Sequence, residues 1–189
     1  MEGNRRYVSD RSTGPHRSSR RRAEVAGEQH PFAVIVGCSD SRVPPELLFD
    51  QGFGDLFVVR TAGNVVDSVA LGSIEYAVEH LGVKLIVVLG HERCGAVSAA
   101  VAGGEAPANV KAVVEAIRPA VEKAKEKGPG GHGCDLVCSA VRVNVKLVAE
   151  KMRTSPVLKE SMEDGMLKVV GGYYDLDDGV VTVTYKPYL

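Results

Sequence analysis

Two short stretches combine residue types able to do chemistry. The first reads Gly37-Cys38-Ser39-Asp40-Ser41-Arg42 and the second Gly90-His91-Glu92-Arg93-Cys94-Gly95. Two thiolates and one imidazole suit Zn²⁺, which takes soft sulfur and borderline nitrogen in tetrahedral geometry. Cys38, His91 and Cys94 would supply three ligands and leave a fourth position open, the arrangement of a catalytic rather than a structural ion. Singly, each of these residues reads as a small buried cysteine or an ordinary loop histidine; jointly they read as a metal site. Asp40 is near enough in sequence to act on such an ion in two ways. It can bind as a fourth ligand and close the site, or be held off by Arg42, whose guanidinium fits a carboxylate bidentately, and accept a hydrogen bond from bound water.

These groups need a scaffold that brings residues 38 and 91 together. Phe32 to Val36, Leu56 to Val59 and Leu85 to Leu89 are short apolar runs of the kind that form strands buried on both faces. Between them lie a short helix opening on Pro44-Pro45 and a longer one from Asp67 to Leu81, stopped by Gly82. Cys94 to Val101, residues 107–127 and residues 135–152 are further helices. Leu167 to Val170 and Val180 to Thr184 are late strands, joined through a turn at Asp177-Asp178-Gly179. Alternating strands and helices predict an α/β fold, one domain with a mainly parallel sheet of order about 2-1-3-4 plus an antiparallel edge strand, covered by helices. Sites in such sheets form outside the carboxyl ends of strands where the order reverses. Cys38 follows the first strand, and His91 and Cys94 follow the third, so that crevice is where they would meet. Residues 1–30 read as an N-terminal arm, with Arg17, Arg20, Arg21 and Arg22 on a solvated face, and residues 31–189 as the domain.

Composition narrows the function classes. A formal net charge of −1 gives no overall drive toward nucleic acid. No apolar run approaches the roughly 20 residues of a membrane span, and the polar, arginine-rich start is not a secretory signal. Four cysteines in 189 residues do not resemble a disulfide framework, which points to a reducing, cytoplasmic setting. Cys134 and Cys138 read as buried or idle cysteines on one helix face, with His132 nearby but no fourth ligand. Gly128 to Gly133 reads as a plain linker, because it lacks the Gly-Lys-Ser/Thr ending of a phosphate loop. His30 and His80 read as ordinary surface residues.

The paired motifs Cys-x-Asp-x-Arg and Gly-His-x-x-Cys-Gly, together with Gln29-x-Pro31, Gly54 to Arg60, Ala62-Gly63-Asn64, Ile74 to Ala77 and Val169-Val170-Gly171, resemble the β-class carbonic anhydrases over nearly the whole chain. The resemblance implies one Zn²⁺ per chain and reversible hydration of CO₂ to bicarbonate. It also implies self-association as a dimer or tetramer, with active sites at the subunit interface. Gln29, Phe57 and Tyr76 would correspond to substrate-pocket residues, some reaching a neighbouring subunit's zinc, and the Gly95 backbone N–H to a donor near the substrate. Related zinc enzymes hydrolyse carbonyl sulfide or carbon disulfide, and a non-catalytic zinc-binding relative would keep the same scaffold. One branch of the family carries a tryptophan three residues before the first zinc cysteine, in a non-catalytic bicarbonate site. That position is Ile35 here, so bicarbonate inhibition of that kind is not expected. Family members usually carry a helix before the Gly-Asn pair, which is Gly3-Asn4 here, so an arm that wraps a partner would be shortened.

Overall fold

Strand β1 (Ala33–Cys38) is buried at every residue, as its unbroken apolar run requires. It pairs in parallel with β2 (Leu56–Thr61) on one side and β3 (Leu85–His91) on the other. Beyond β3 lies β4 (Lys168–Tyr174), also parallel, and then the antiparallel β5 (Val181–Tyr185). The order is therefore β2-β1-β3-β4-β5, with the reversal at β1/β3. The computed structural model describes residues 1–128 and 134–186. The glycine-rich linker expected after Gly128, and His132 within it, lie outside those residues.

The helices begin where local chemistry starts them. Asp67 accepts from the Ala70 N–H and opens α4 (Ser68–Glu79), which follows α1 (Glu2–Val8), α2 (Ser19–Glu24) and the proline-led α3 (Pro45–Leu48). Asp135 accepts from the Cys138 N–H and opens α7 (Leu136–Lys151) after α5 (Gly95–Ala102) and α6 (Val110–Lys127). Ser155, followed by proline, opens α8 (Pro156–Glu163). One core joins Val34, Val36, Ile74, Ile86, Val88 and Leu158; a second joins Ile35, Leu48, Leu89, Val97, Ile117 and Val141. Helix α7 lies close on β3 and β4 because Gly90 and Gly171 face it. A Cβ on either would stand 2.5 Å from a Val145 methyl. No helix among the described residues is long and apolar enough to cross a membrane.

The segment before β1 is more closely tied to the domain than a solvated arm would be. Buried Asn4 donates to the Leu48 and Gly179 carbonyls and accepts from the Val181 N–H. Fully buried Asp50 accepts from the Thr13 and Gly14 N–H groups at 3.0 and 2.9 Å and from Arg6 Nε at 2.6 Å. Burial alone would raise the Asp50 pKa. The Thr13 and Gly14 N–H donors and the Arg6 guanidinium outweigh it and hold the carboxyl below the usual carboxylate range. Asp50→Asn places an amide donor among these donors and should lower stability at neutral pH by about 3 kcal/mol. A group with a depressed folded pKa contributes fully above its unfolded pKa, about 3.9 for aspartate, and loses that contribution as pH falls through the folded value. Urea unfolding should therefore show a wide gap between wild type and variant at pH 7 that narrows below pH 4. A gap independent of pH would contradict this role.

Cys134 and Cys138 correct the sequence reading. They are joined as a disulfide, with Cα atoms 5.4 Å apart, rather than standing idle on a helix face. Cys134 precedes the Asp135 cap, so it is outside the helix, and the turn into α7 brings its sulfur onto Cys138.

Candidate metal centre

The two central strands carry the ligand candidates further than expected. Cys38 is the last residue of β1, opposite Thr61, and His91 is the last of β3, opposite Tyr174. Both lie inside the strands rather than beyond them, because parallel pairing continues up to the ligands. Cys94 caps α5 one short turn later. All three are buried, and their donor atoms lie within 4.8 Å of one another.

The sulfurs of Cys38 and Cys94 are 4.0 Å apart. A hydrogen bond from Cys94 holds the Cys38 thiol well below its ordinary pKa, helped by the Asp40 and Gly63 N–H groups at 3.4 and 3.2 Å and opposed by burial. That hydrogen bond to Cys38, together with burial, pushes Cys94 up. The pair thus readily carries one negative charge, and the second thiolate calls for a cation. His91 is oriented by its Nδ1, 2.8 Å from the Glu92 carbonyl. A carbonyl only accepts, so Nδ1 is the donor and Nε2 presents its lone pair to the sulfurs. Nε2 is buried with no hydrogen-bond partner among the described residues. An orphaned imidazole nitrogen beside two thiols in contact with each other is a donor set that fits a metal ion.

Asp40 lies at the rim. Arg42 grips it as a fork, Nε to Oδ1 at 2.9 Å and Nη2 to Oδ2 at 2.7 Å, and the Arg42 N–H adds a third bond at 2.9 Å. The side-chain hydrogen bond from Arg42 keeps the carboxyl well below the usual range against the effect of its partial burial. Asp40 Oδ2 stands 3.8 Å from His91 Nε2. Gly95 begins α5, and a Cβ there would meet nothing within 4 Å, so open space borders its backbone.

The remaining pocket candidates gather elsewhere on the chain. Phe57 pairs with Val34, four residues and roughly 13 Å back along the strand from the Cys38 level. Its ring centre is 6.5 Å from that of half-exposed Tyr76 on α4, and Tyr76 shares a surface concavity with Gln29. These three therefore form a group of their own near the amino ends of the strands. Ile35 is buried in the second core.

Arg60 has a role that motif reading did not assign. Its Nε donates to the Cys38 carbonyl at 2.8 Å and its Nη2 to the Asp40 carbonyl at 2.6 Å, fixing both ends of the ligand loop. A charge one residue from the end of an apolar strand was the available signal.

The carbonic anhydrase family profile matches residues 33–181. Carbonic anhydrase 2 of Mycobacterium tuberculosis is 48% identical over 183 residues, 94% of this chain and 86% of that protein. The β-carbonic anhydrase of Coccomyxa, solved in complex with acetazolamide, superposes with a TM-score of 0.80 at 30% identity, covering 99% of this chain and 85% of that one. A tetrameric β-carbonic anhydrase from Sordaria macrospora superposes with a TM-score of 0.79 at 28% identity, covering 85% and 84%.

Proposed function

This chain belongs to the carbonic anhydrase family, enzymes of the lyase class, and we propose that it hydrates CO₂ reversibly to bicarbonate and a proton at one zinc ion per chain. The observation that carries this reading is a buried donor set, Cys38, His91 and Cys94, whose ligand atoms lie within 4.8 Å of one another and whose His91 Nε2 has no hydrogen-bond partner among the described residues. Two thiolates and an imidazole favour zinc over harder divalent cations. Bound there, zinc would supply Lewis acidity, drawing a proton from water near neutral pH.

The chain's own residues would do the rest. Asp40, immobilised by Arg42, accepts a hydrogen bond from the attacking water and so directs its lone pair. The Gly95 N–H, at the start of α5 beside open space, donates to the oxygen that gains charge as CO₂ bends. Phe57 and Tyr76 form an apolar wall suited to an uncharged substrate, and the Gln29 amide holds bicarbonate oxygens. These three are grouped away from the sulfurs of their own chain, which supports a pocket completed by a second copy, as a dimer or larger assembly. The tetrameric Sordaria relative accords with that.

The test is an assay of CO₂ hydration and carbonyl sulfide hydrolysis side by side, on size-fractionated protein of measured zinc content. Hydration should dominate and appear only in fractions of dimer size or larger. Dominant carbonyl sulfide hydrolysis would move the chain to that activity. Zinc-loaded protein inert in both assays would make it a non-catalytic relative, and a fully active monomer would sink the shared pocket.

A further inference from the structure

We infer that Asn144, on α7 and 81 residues from its partner in sequence, is a positioning residue that sets the donor strength of Cys38 through the Gly63 peptide. Asn144 is 3% exposed, and its Nδ2 donates to the Gly63 carbonyl at 2.9 Å. The N–H of the same residue donates to Cys38 Sγ at 3.2 Å. Gly63 is thus held at its carbonyl by α7 and aims its amide at the sulfur.

Its surroundings leave the peptide little freedom. Gly63 has φ +65°, a conformation that a side chain disfavours. A Cβ there would lie 2.6 Å from Ile117 Cδ1 on α6 and 3.1 Å from Ala96 Cβ on α5. Helices α5 and α6 therefore pack against Gly63 sterically, while Asn144 supplies the polar anchor from α7. An N–H bonded to a thiolate withdraws charge from sulfur and fixes the direction of its lone pairs. Removing the anchor frees the Gly63 peptide to rotate, and the N–H···S bond lengthens or is lost. Outer-shell partners of this kind typically change metal affinity by about 10–100-fold.

The inference rests on the metal reading of Cys38, His91 and Cys94, and the experiment separates the two. Cobalt(II)-substituted wild type, Asn144→Leu and Asn144→Asp are compared by sulfur-to-cobalt charge-transfer absorption, and their zinc affinities by chelator competition. Asn144→Leu removes the donor while keeping the same number of side-chain heavy atoms, and Asn144→Asp removes it wherever the carboxyl is ionised. We expect a shifted charge-transfer band and roughly 10-fold weaker zinc binding in each. Wild type that binds neither metal would overturn the metal reading and the role of Asn144 with it. Wild type that binds, with variants of unchanged band and affinity, would overturn the Asn144 role alone, even if their melting temperatures fall. Should neither variant fold, cadmium-113 loaded wild type decides: the Gly63 amide proton should show scalar coupling to cadmium through Cys38 Sγ, and its absence would overturn the inference.

Discussion

Replacing Cys94 with serine is expected to strip most of the zinc and nearly all CO₂ hydration from the protein. Serine offers a hard oxygen that stays protonated at neutral pH, where zinc favours soft sulfur in this set. The loss of affinity should exceed the ~10–100-fold typical of an outer-shell partner, because a direct ligand is gone. Zinc uptake by wild type should also release protons, since burial and the hydrogen bond to Cys38 keep the proton on Cys94 in the absence of metal and a zinc-bound thiolate has given it up. Elemental analysis of the purified variant checks this. One zinc per chain in Cys94→Ser would remove Cys94 from the ligand set.

The elements that position the site were legible because their signals are local. Ala33 to Val36, Leu56 to Val59 and Leu85 to Leu89 are continuous apolar runs, and runs of that length between helix signals form central parallel strands. The rule that places ligands at a reversal of strand order then brought Cys38 to His91 across 53 positions of chain. The start of α8 carries an equally local signal: Ser155-Pro156 combines a cap with a proline at the first turn. What escaped depends on distant groups. Asn144 resembles any polar residue on a helix until the chain folds its amide onto the Gly63 carbonyl. Asp50 is one aspartate among many until Thr13, Gly14 and Arg6 close around it. The Cys134–Cys138 bridge turns on whether Cys134 lies inside the helix or one residue before its cap, a boundary that periodicity does not resolve. Only the family resemblance assigns Gln29, Phe57 and Tyr76 to a substrate pocket, and their grouping away from the sulfurs of their own chain emerges only in three dimensions.

Arg42→Ala should abolish activity while leaving the zinc in place, and Asp40→Ala should also abolish activity, but with a different coordination state. In the intact chain the Arg42 fork makes two side-chain bonds to Asp40, and Arg42 Nη2 also reaches the Arg93 carbonyl at 3.2 Å, which ties the fork to the second ligand loop. Without the guanidinium, the backbone N–H of residue 42 is the one hydrogen bond left on the carboxylate among the described residues. Asp40 Oδ2 starts 3.8 Å from His91 Nε2, a proposed ligand atom, so a modest rotation would bring it within reach of a bound metal. Carboxylate oxygen satisfies zinc well, and the fourth position closes. Asp40→Ala cannot close in this way; it loses instead the acceptor that directs the attacking water. Each change should lower kcat/KM by at least about 100-fold, the scale for loss of a group that acts on the reacting atoms. Activity alone does not distinguish the two routes, so the deciding measurement is the visible spectrum of the cobalt-substituted variants titrated with azide. The anion should perturb the spectra of wild type and Asp40→Ala, where the fourth position is open, and leave Arg42→Ala unchanged. An Arg42→Ala spectrum that responds to azide as wild type does would mean that Asp40 stays off the metal without its fork, and that Arg42 acts on the site in some other way.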